Sequence, residues 1–219
     1  AFVDPALRLL QHGGAAIRLN SRLASIAFDG ASSRVSTLHF ADGPVTLEVD
    51  DAVVLAVPPD AARALVPDLQ TPRRASTIVN VHYAIEAPSG IGPLTVLVNG
   101  TAGWLFSRGG QLSVTICAAD ALADAPAGAL AQRLWAEIAA VTALPAAPLP
   151  TWQVTTERDA TFAALPEEEQ RRPAARTRWN NLTLAGDWTA TGLPATIEGA
   201  IRSGRKAADL ILTATLERR

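Results

Sequence analysis

The sequence predicts a mixed α/β (α+β) chain, in which a layered α/β part drawn from both ends flanks an antiparallel-sheet part in the middle. Three observations lead there. Short alternating runs separated by Asp-Gly turns open the chain, a continuously apolar run follows at 52–59, and an apolar strand leading into a small-residue helix closes it at 182–212. Alternation with a period of two marks strands with one wet face, whereas an unbroken apolar run marks a strand covered on both faces, as in a parallel sheet.

The elements follow in order. A short helix is expected over 5–12, and strands over 23–28 (LASIAF), 34–40 (RVSTLHF) and 45–49 (VTLEV), with Asp29-Gly30 and Asp42-Gly43 between them. Asp-Gly favours hairpin turns because glycine tolerates positive φ, so the three strands read as a meander. AVVLAVPP at 52–59 is the strand expected to be buried on both faces, stopped by Pro58 and Pro59. Four strands then follow at 77–87, 94–99, 103–107 and 111–119, with Gly109-Gly110 marking one connection. In 128–143, Leu130, Leu134, Ile138 and Val141 recur at intervals of 4, 4 and 3 and form the apolar stripe of a helix. The proline-rich 144–150 reads as a linker into a strand TWQVTTE. Strand 182–188 (LTLAGDW) and helix 194–212 end the pattern, with Ile197, Ala200, Ile201, Gly204, Ala207, Ala208 and Ile211 on one helical face. Gly199, Ala200, Ser203, Gly204 and Ala207 are small enough to let a neighbour approach that helix closely.

Composition narrows the function classes. With 219 residues the chain is one large domain or two joined ones. A net charge of −2 with scattered basic residues argues against nucleic acid as a partner. No stretch approaches the roughly 18 apolar residues of a membrane span, and AFVDPALRLL lacks the basic start of a signal peptide. Cys117 is the only cysteine, which excludes an internal disulfide and agrees with a reducing cytoplasm. The three histidines His12, His39 and His82 are dispersed, so no metal site is expected. The start at Ala1 and the lack of methionine lead us to expect part of a longer product.

Chemistry concentrates in the last forty residues. A strand ending in Gly186-Asp187, a loop with Gly192 and Pro194, and a helix opening near Ala195 and Thr196 make a place for a phosphate-bearing or electron-rich ligand. Glycine lets the backbone approach, a carboxylate accepts from sugar hydroxyls, and a helix N-terminus carries roughly +0.5 charge with free N–H donors. A Gly-Asp alone reads first as a capped helix after a turn; the length and order of the string carry the reading to a ligand site.

The string LAGDWTATGLPATIEGAIRSGRKAA resembles the C-terminal flavin-binding segment of the amine oxidase and phytoene desaturase superfamily. Within it, GDWTATGLPATIEGAIRSG looks most like the squalene-associated FAD-dependent desaturases, the hydroxysqualene dehydroxylases. DDAVVLAVPP, VNVHYAI, WLFSRG and ERDATFAALPEEEQRRP extend the likeness over nearly the whole chain. The resemblance implies a partial FAD/NAD(P)-binding Rossmann-like domain, from 1–60 and a C-terminal FAD-binding segment 166–219, plus an antiparallel-sheet substrate domain at 61–165. It implies FAD as cofactor, with Gly186 and Asp187 at the pyrophosphate and ribityl region. Gly192, Pro194, Ala195 and Thr196 would line the isoalloxazine, with the Ile197 N–H near the pyrimidine carbonyl, Ala200 in the matching EGA, and Val57 near the dinucleotide. Glu198 is expected to be structural.

The activity so implied is FAD-dependent reductive dehydroxylation of hydroxysqualene to squalene, with a lipophilic isoprenoid as substrate and a cytoplasmic location. Carotenoid desaturation, amine oxidation and a non-catalytic fragment are the alternatives. Oligomeric state, electron donor, and contact of an apolar rim with a membrane surface stay open. One departure is serious: the superfamily opens with a GxGxxG loop, and this sequence contains none. The chain is therefore expected to be the C-terminal portion of a flavoenzyme that holds FAD weakly or not at all in isolation; stoichiometric, tightly bound FAD would overturn that.

Other residues have plainer readings. His82 is expected to be a hydrogen-bonded structural histidine, with a place facing a substrate cavity as the other reading. Cys117 is expected to be an inert core residue, and Trp104, Phe106 and Trp135 to pack as core aromatics rather than line an apolar tunnel. Arg171, Arg172, Arg176 and Arg178, beside 167–169, read as a solvated loop. No GxSxG elbow supports a hydrolase.

Overall fold

The computed structural model describes residues 3–31 and 33–216. In chain order the elements are α1 (Val3–His12), β1 (Leu23–Asp29), β2 (Arg34–Phe40), β3 (Gly43–Thr46), β4 (Val53–Leu55), α2 (Pro59–Leu65), β5 (Ala75–Tyr83) and β6 (Leu94–Val96). They continue with β7 (Trp104–Arg108), β8 (Gln111–Ile116), α3 (Ala127–Thr142), β9 (Trp152–Phe162), α4 (Pro166–Glu169), β10 (Leu182–Leu184) and α5 (Ile197–Leu216). The chain divides into two compact units: one holds the chain up to Thr71 and again from Pro173, the other Pro72–Arg172. Among the described residues no helix is long and apolar enough to cross a membrane.

In the first unit, β1, β2 and β3 form an antiparallel meander. The Asp29 carboxylate accepts the Ala31 N–H at 3.0 Å and closes the first turn. β3 stops at Thr46, short of the expected Val49, because the next residues turn: Asp51 accepts the Glu48 N–H at 2.8 Å, and Arg34 donates to the Glu48 carbonyl at 3.0 Å. β4 and β10 pair in parallel, Val53 with Leu182 and Leu55 with Leu184. All three residues of β10 are buried, but β4 is not covered on both faces as its apolar run suggested: Val53 and Leu55 point into the core and Val54 is 43% exposed. Pro58 and Pro59 end that strand by starting α2, with a proline in its first turn, where a missing N–H costs nothing.

Asn181 joins the meander to this parallel pair. It is buried, its Oδ1 accepts the Val35 N–H at 2.8 Å, its Nδ2 donates to the Val35 carbonyl at 3.0 Å, and its own carbonyl accepts the Val53 N–H at 2.7 Å. The buried face of α5 shares Ala207 with the stripe that periodicity suggested and otherwise differs from it. Gly199, Ser203 and Ala207 are buried, while Ile197, Ala200, Ile201 and Ala208 are exposed. The smallest side chains, not the most apolar, face inward, because α5 contacts the short strand β10 at close range.

The second unit is a five-stranded antiparallel sheet in the order β6-β7-β8-β5-β9, with α3 against one face. Val79, Val81, Tyr83, Leu105, Leu112 and Val114 meet Leu130, Leu134, Trp135 and Ile138 in its core. The Tyr83 hydroxyl donates to the Ala131 carbonyl at 2.6 Å, and burial followed by the Glu137 carboxylate pushes its ionisation well above the usual phenol range. Trp135 is a core aromatic as expected, but Trp104 and Phe106 are each 40% exposed on the opposite face. Alternation along β7 puts Leu105, not its neighbours, in the core. Cys117 is likewise exposed rather than buried, since it follows the inward-facing Ile116 at the end of β8.

The charged stretch after β9 divides: Arg176 and Arg178 are exposed, as a solvated loop requires, while Arg171 and Arg172 belong to a clamp. Glu168 is fully buried in the one-turn helix α4, where its carboxylate accepts the Arg73 N–H at 2.7 Å and meets Arg171 at 2.6 Å. The Arg172 side chain is 1% exposed, bonded to Glu169 at 2.8 Å and stacked over Phe162. Burial alone would raise the Glu168 carboxyl, but the N–H groups of Arg73 and Arg74 and the Arg171 guanidinium outweigh it and hold the group below its ordinary value. A depressed carboxylate stabilises the fold above the unfolded value of about 4.3 and loses that contribution as pH falls through the lower folded value. Replacing Glu168 by Ala is expected to lower stability by about 3–5 kcal/mol at neutral pH, as for one partner of a buried pair, and to flatten the acid limb of a denaturation series. An unchanged acid limb would remove Glu168 as its source.

Candidate functional site

The site is built where β10 ends. Ala185 N–H continues the parallel pairing by donating to the Leu55 carbonyl at 3.0 Å, and the chain then leaves the sheet at Gly186 with φ of +143°. A Cβ at that position would overlap the Trp188 indole, so glycine is required both for the angle and for the space. Trp188 is buried, and its Nε1–H donates to the Val57 carbonyl at 3.0 Å. That bond ties the loop to the segment just beyond β4, which is how Val57 comes to lie beside the Gly-Asp turn.

Three hydroxyls then shape the loop. Gly186 N–H donates to Ser203 Oγ at 2.7 Å, and Ser203 Oγ–H donates to the Ala200 carbonyl at 2.6 Å, so one serine of α5 pins the turn to the helix. Thr189 donates through both N–H and Oγ1–H to the Gly186 carbonyl, at 3.1 and 2.8 Å. Thr196 caps α5: its Oγ1 accepts the Gly199 N–H at 3.0 Å. Gly199 suits the close packing there: a Cβ would sit 3.2 Å from the Pro194 carbonyl and 3.3 Å from Thr196 Oγ1, so either neighbour would have to move by a few tenths of an ångström.

This leaves an open, donor-rich mouth. The Ile197 and Glu198 N–H groups, in the first turn of the 20-residue α5, have no hydrogen-bond partner among the described residues. Gly192 has φ of +74° with nothing within 4 Å of a would-be Cβ, so the loop opposite the helix start is unobstructed. Pro194, Thr196, Ile197 and Ala200 are exposed around it, and Ala195, Asp187 and Val57 are half-buried. The residues singled out from the sequence thus form one continuous loop and helix start, with Val57 attached through Trp188. Glu198 turns to Arg202 in an exposed ion pair at 2.7 Å, a contact worth little in water.

Reading the sequence did not identify Trp188, Thr189 or the double role of Ser203. Their signal was present only as a large aromatic directly after Gly-Asp, in a loop otherwise made of small residues. Gly186→Ala should displace Trp188, shift tryptophan emission to the red and destabilise the fold by about 1–3 kcal/mol. Gly192→Ala meets no neighbour and bears only the strain of its positive φ, on the order of 1 kcal/mol, without the spectral shift. Equal fluorescence in the two variants would show that Trp188 does not lock the turn.

The family profile of the flavin containing amine oxidoreductases matches residues 4–212. Hydroxysqualene dehydroxylase of Rhodopseudomonas palustris is 47% identical over 214 residues, covering 97% of this chain and 50% of that protein. The enzyme of the same name from Zymomonas mobilis is 43% identical, covering 97% and 51%. The chain thus spans about half the length of the curated relatives it matches. Among solved structures, an oxidoreductase from Methanosarcina mazei aligns with a TM-score of 0.63 at 12% identity over 94% of this chain and 53% of that one. Glycine oxidase from Bacillus cereus aligns with a TM-score of 0.55 at 15% identity, over 91% and 51%. These two likenesses show the fold. The profile and the identities to curated relatives show the family: the chain belongs to the flavin containing amine oxidoreductases.

Proposed function

We propose that this chain supplies the C-terminal flavin-holding loop and the substrate sheet of an FAD-dependent oxidoreductase that reductively removes the hydroxyl of hydroxysqualene to give squalene. The observation that carries the reading is 43–47% identity to hydroxysqualene dehydroxylases along 97–98% of the chain. The donor-rich mouth at the start of α5 supports it.

The residues present fit a flavin. Gly186 and Gly192 keep side chains out of the way, and the unpartnered N–H groups of Ile197 and Glu198 suit an electron-rich carbonyl. When bound and reduced, FAD supplies a hydride. The protein's own part is orientation and charge. Ile197 N–H would donate to the ring system, the positive end of α5 would favour negative charge there, and Asp187 would accept from hydroxyls of the cofactor chain. Trp188, through Val57, keeps the Gly-Asp turn in place while this happens.

The net reaction consumes an alcohol, two electrons and two protons, and yields a hydrocarbon and water. Loss of water from an allylic alcohol leaves a delocalised cation, for which a dry apolar surround prevents recapture by solvent. Anaerobic, photoreduced flavoprotein carrying this chain should therefore convert hydroxysqualene to squalene, with one flavin reoxidised per product. Desaturation of phytoene or oxidation of amines, with no squalene formed, would assign it to another branch of the family.

A further inference from the structure

The face of the five-stranded sheet away from α3 has a graded chemistry. Directly paired residues share a face, so two rows cross it: Leu94, Phe106, Ser113, His82 and Gln153, and beside it Val96, Trp104, Thr115, Asn80 and Thr155. At the β6–β7 end the four residues are apolar and 40–56% exposed. At β8 and β5 the next four are polar and half-buried. Each step between strands is about 4.8 Å, so the change from apolar to polar occurs within one strand spacing.

The polar strip is pre-arranged. Ser113 Oγ lies 2.8 Å from His82 Nδ1, and Thr115 Oγ1–H donates to Asn80 Oδ1 at 2.6 Å. These bonds occupy the imidazole's inner nitrogen and the amide oxygen. His82 Nε2 and Asn80 Nδ2 have no partner among the described residues. Left-over donors on a half-buried face, beside a strip of exposed aromatic and aliphatic side chains, suit a long hydrocarbon that carries a single hydroxyl.

Resting on the function proposed above, we infer that His82 is a catalytic residue of the dehydroxylation: its Nε2–H binds the substrate hydroxyl and protonates it as it leaves. In that step the Nε2–H bond breaks and an O–H bond forms. The C–O bond breaks with its electron pair on oxygen, so water departs and the imidazolium becomes neutral imidazole. Closing the balance takes one hydride onto the allylic cation to give the hydrocarbon, which is what a reduced flavin in the holoenzyme would supply. Ser113 keeps Nε2 as the nitrogen that faces the ligand.

The test uses the flavin-loaded protein as wild type, His82→Ala and His82→Gln, with three readouts: flavin content, relative affinity for hydroxysqualene over squalene, and the single-turnover rate with photoreduced flavin. Squalene lacks the hydroxyl, so only hydroxysqualene reports the contact. His82→Ala is expected to keep its flavin, to lose about 10-fold of the preference for hydroxysqualene, and to slow by about 10²–10⁴-fold. His82→Gln retains an N–H donor but no transferable proton, so the preference returns and the rate does not. A flavin-bearing Ala or Gln variant turning over at the wild-type rate overturns the proposal. Should the Ala variant fail to hold flavin, the Gln variant decides. A wild type that makes no squalene overturns the functional reading itself, and this assignment with it.

Discussion

Parallel pairing of β4 with β10 is the constraint on which the geometry of the Gly186–Glu198 loop depends. The two strands are three residues each and far apart in the chain, so their own ladder is too short to secure the register. Asn181 supplies what the ladder lacks. Sitting one residue before β10, it completes both backbone groups of Val35, 146 positions away, and its carbonyl takes the first N–H of β4. A buried amide satisfied on three sides specifies one arrangement, because any slip would leave several buried backbone groups unpaired. Everything beyond β10 inherits that register: the exit at Gly186, the Trp188 bond to Val57, and the placement of Ser203 beneath the turn.

The use of small residues follows. A loop meant to face a ligand cannot fill its own interior with large side chains, so it is held by hydroxyls and one indole. Ser203, Thr189 and Thr196 each satisfy backbone groups that a turn would otherwise leave exposed, and this frees the first N–H groups of α5 to point at something else. The second unit shows a complementary economy. One face of its sheet is packed by α3, and Glu168 holds the ends of its chain segment by accepting backbone N–H groups, so the other face is left open to chemistry.

Much of this was legible in the sequence, for physical reasons. Period-two alternation and Asp-Gly turns gave away the meander, and the spacing of Leu130, Leu134 and Ile138 gave away α3, because both report burial of one face; Val141, the fourth residue of that expected stripe, is 54% exposed, and Ala139 and Thr142 are buried in the last turn instead. The Gly-Asp loop and its helix were legible as a string of residue types with a shared conformational demand. Features decided by tertiary context were not. Periodicity ranked Ile197, Ile201 and Ala207 as inward-facing, yet of these three only Ala207 is buried; Gly199 and Ser203, legible as small residues that admit a close neighbour, complete the inward face against β10. Pro58 and Pro59 read as a stop and proved to be a helix start. Cys117 and Trp104 followed the rule that apolar residues go inside, and strand alternation placed them outside. Arg172 read as solvated because its partners Glu169 and Phe162 come from a one-turn helix and the end of β9 that carry no strong local signal.

If the Gly186–Glu198 loop and helix start hold the flavin, binding must protect their free amides. Amide hydrogen exchange across that segment, with and without FAD, tests it most directly. The expected result is fast exchange at Ile197 and Glu198 without cofactor, marked slowing of both when FAD binds, and little change in β6 and β7. FAD bound at full occupancy, with these two amides exchanging as before, would contradict it.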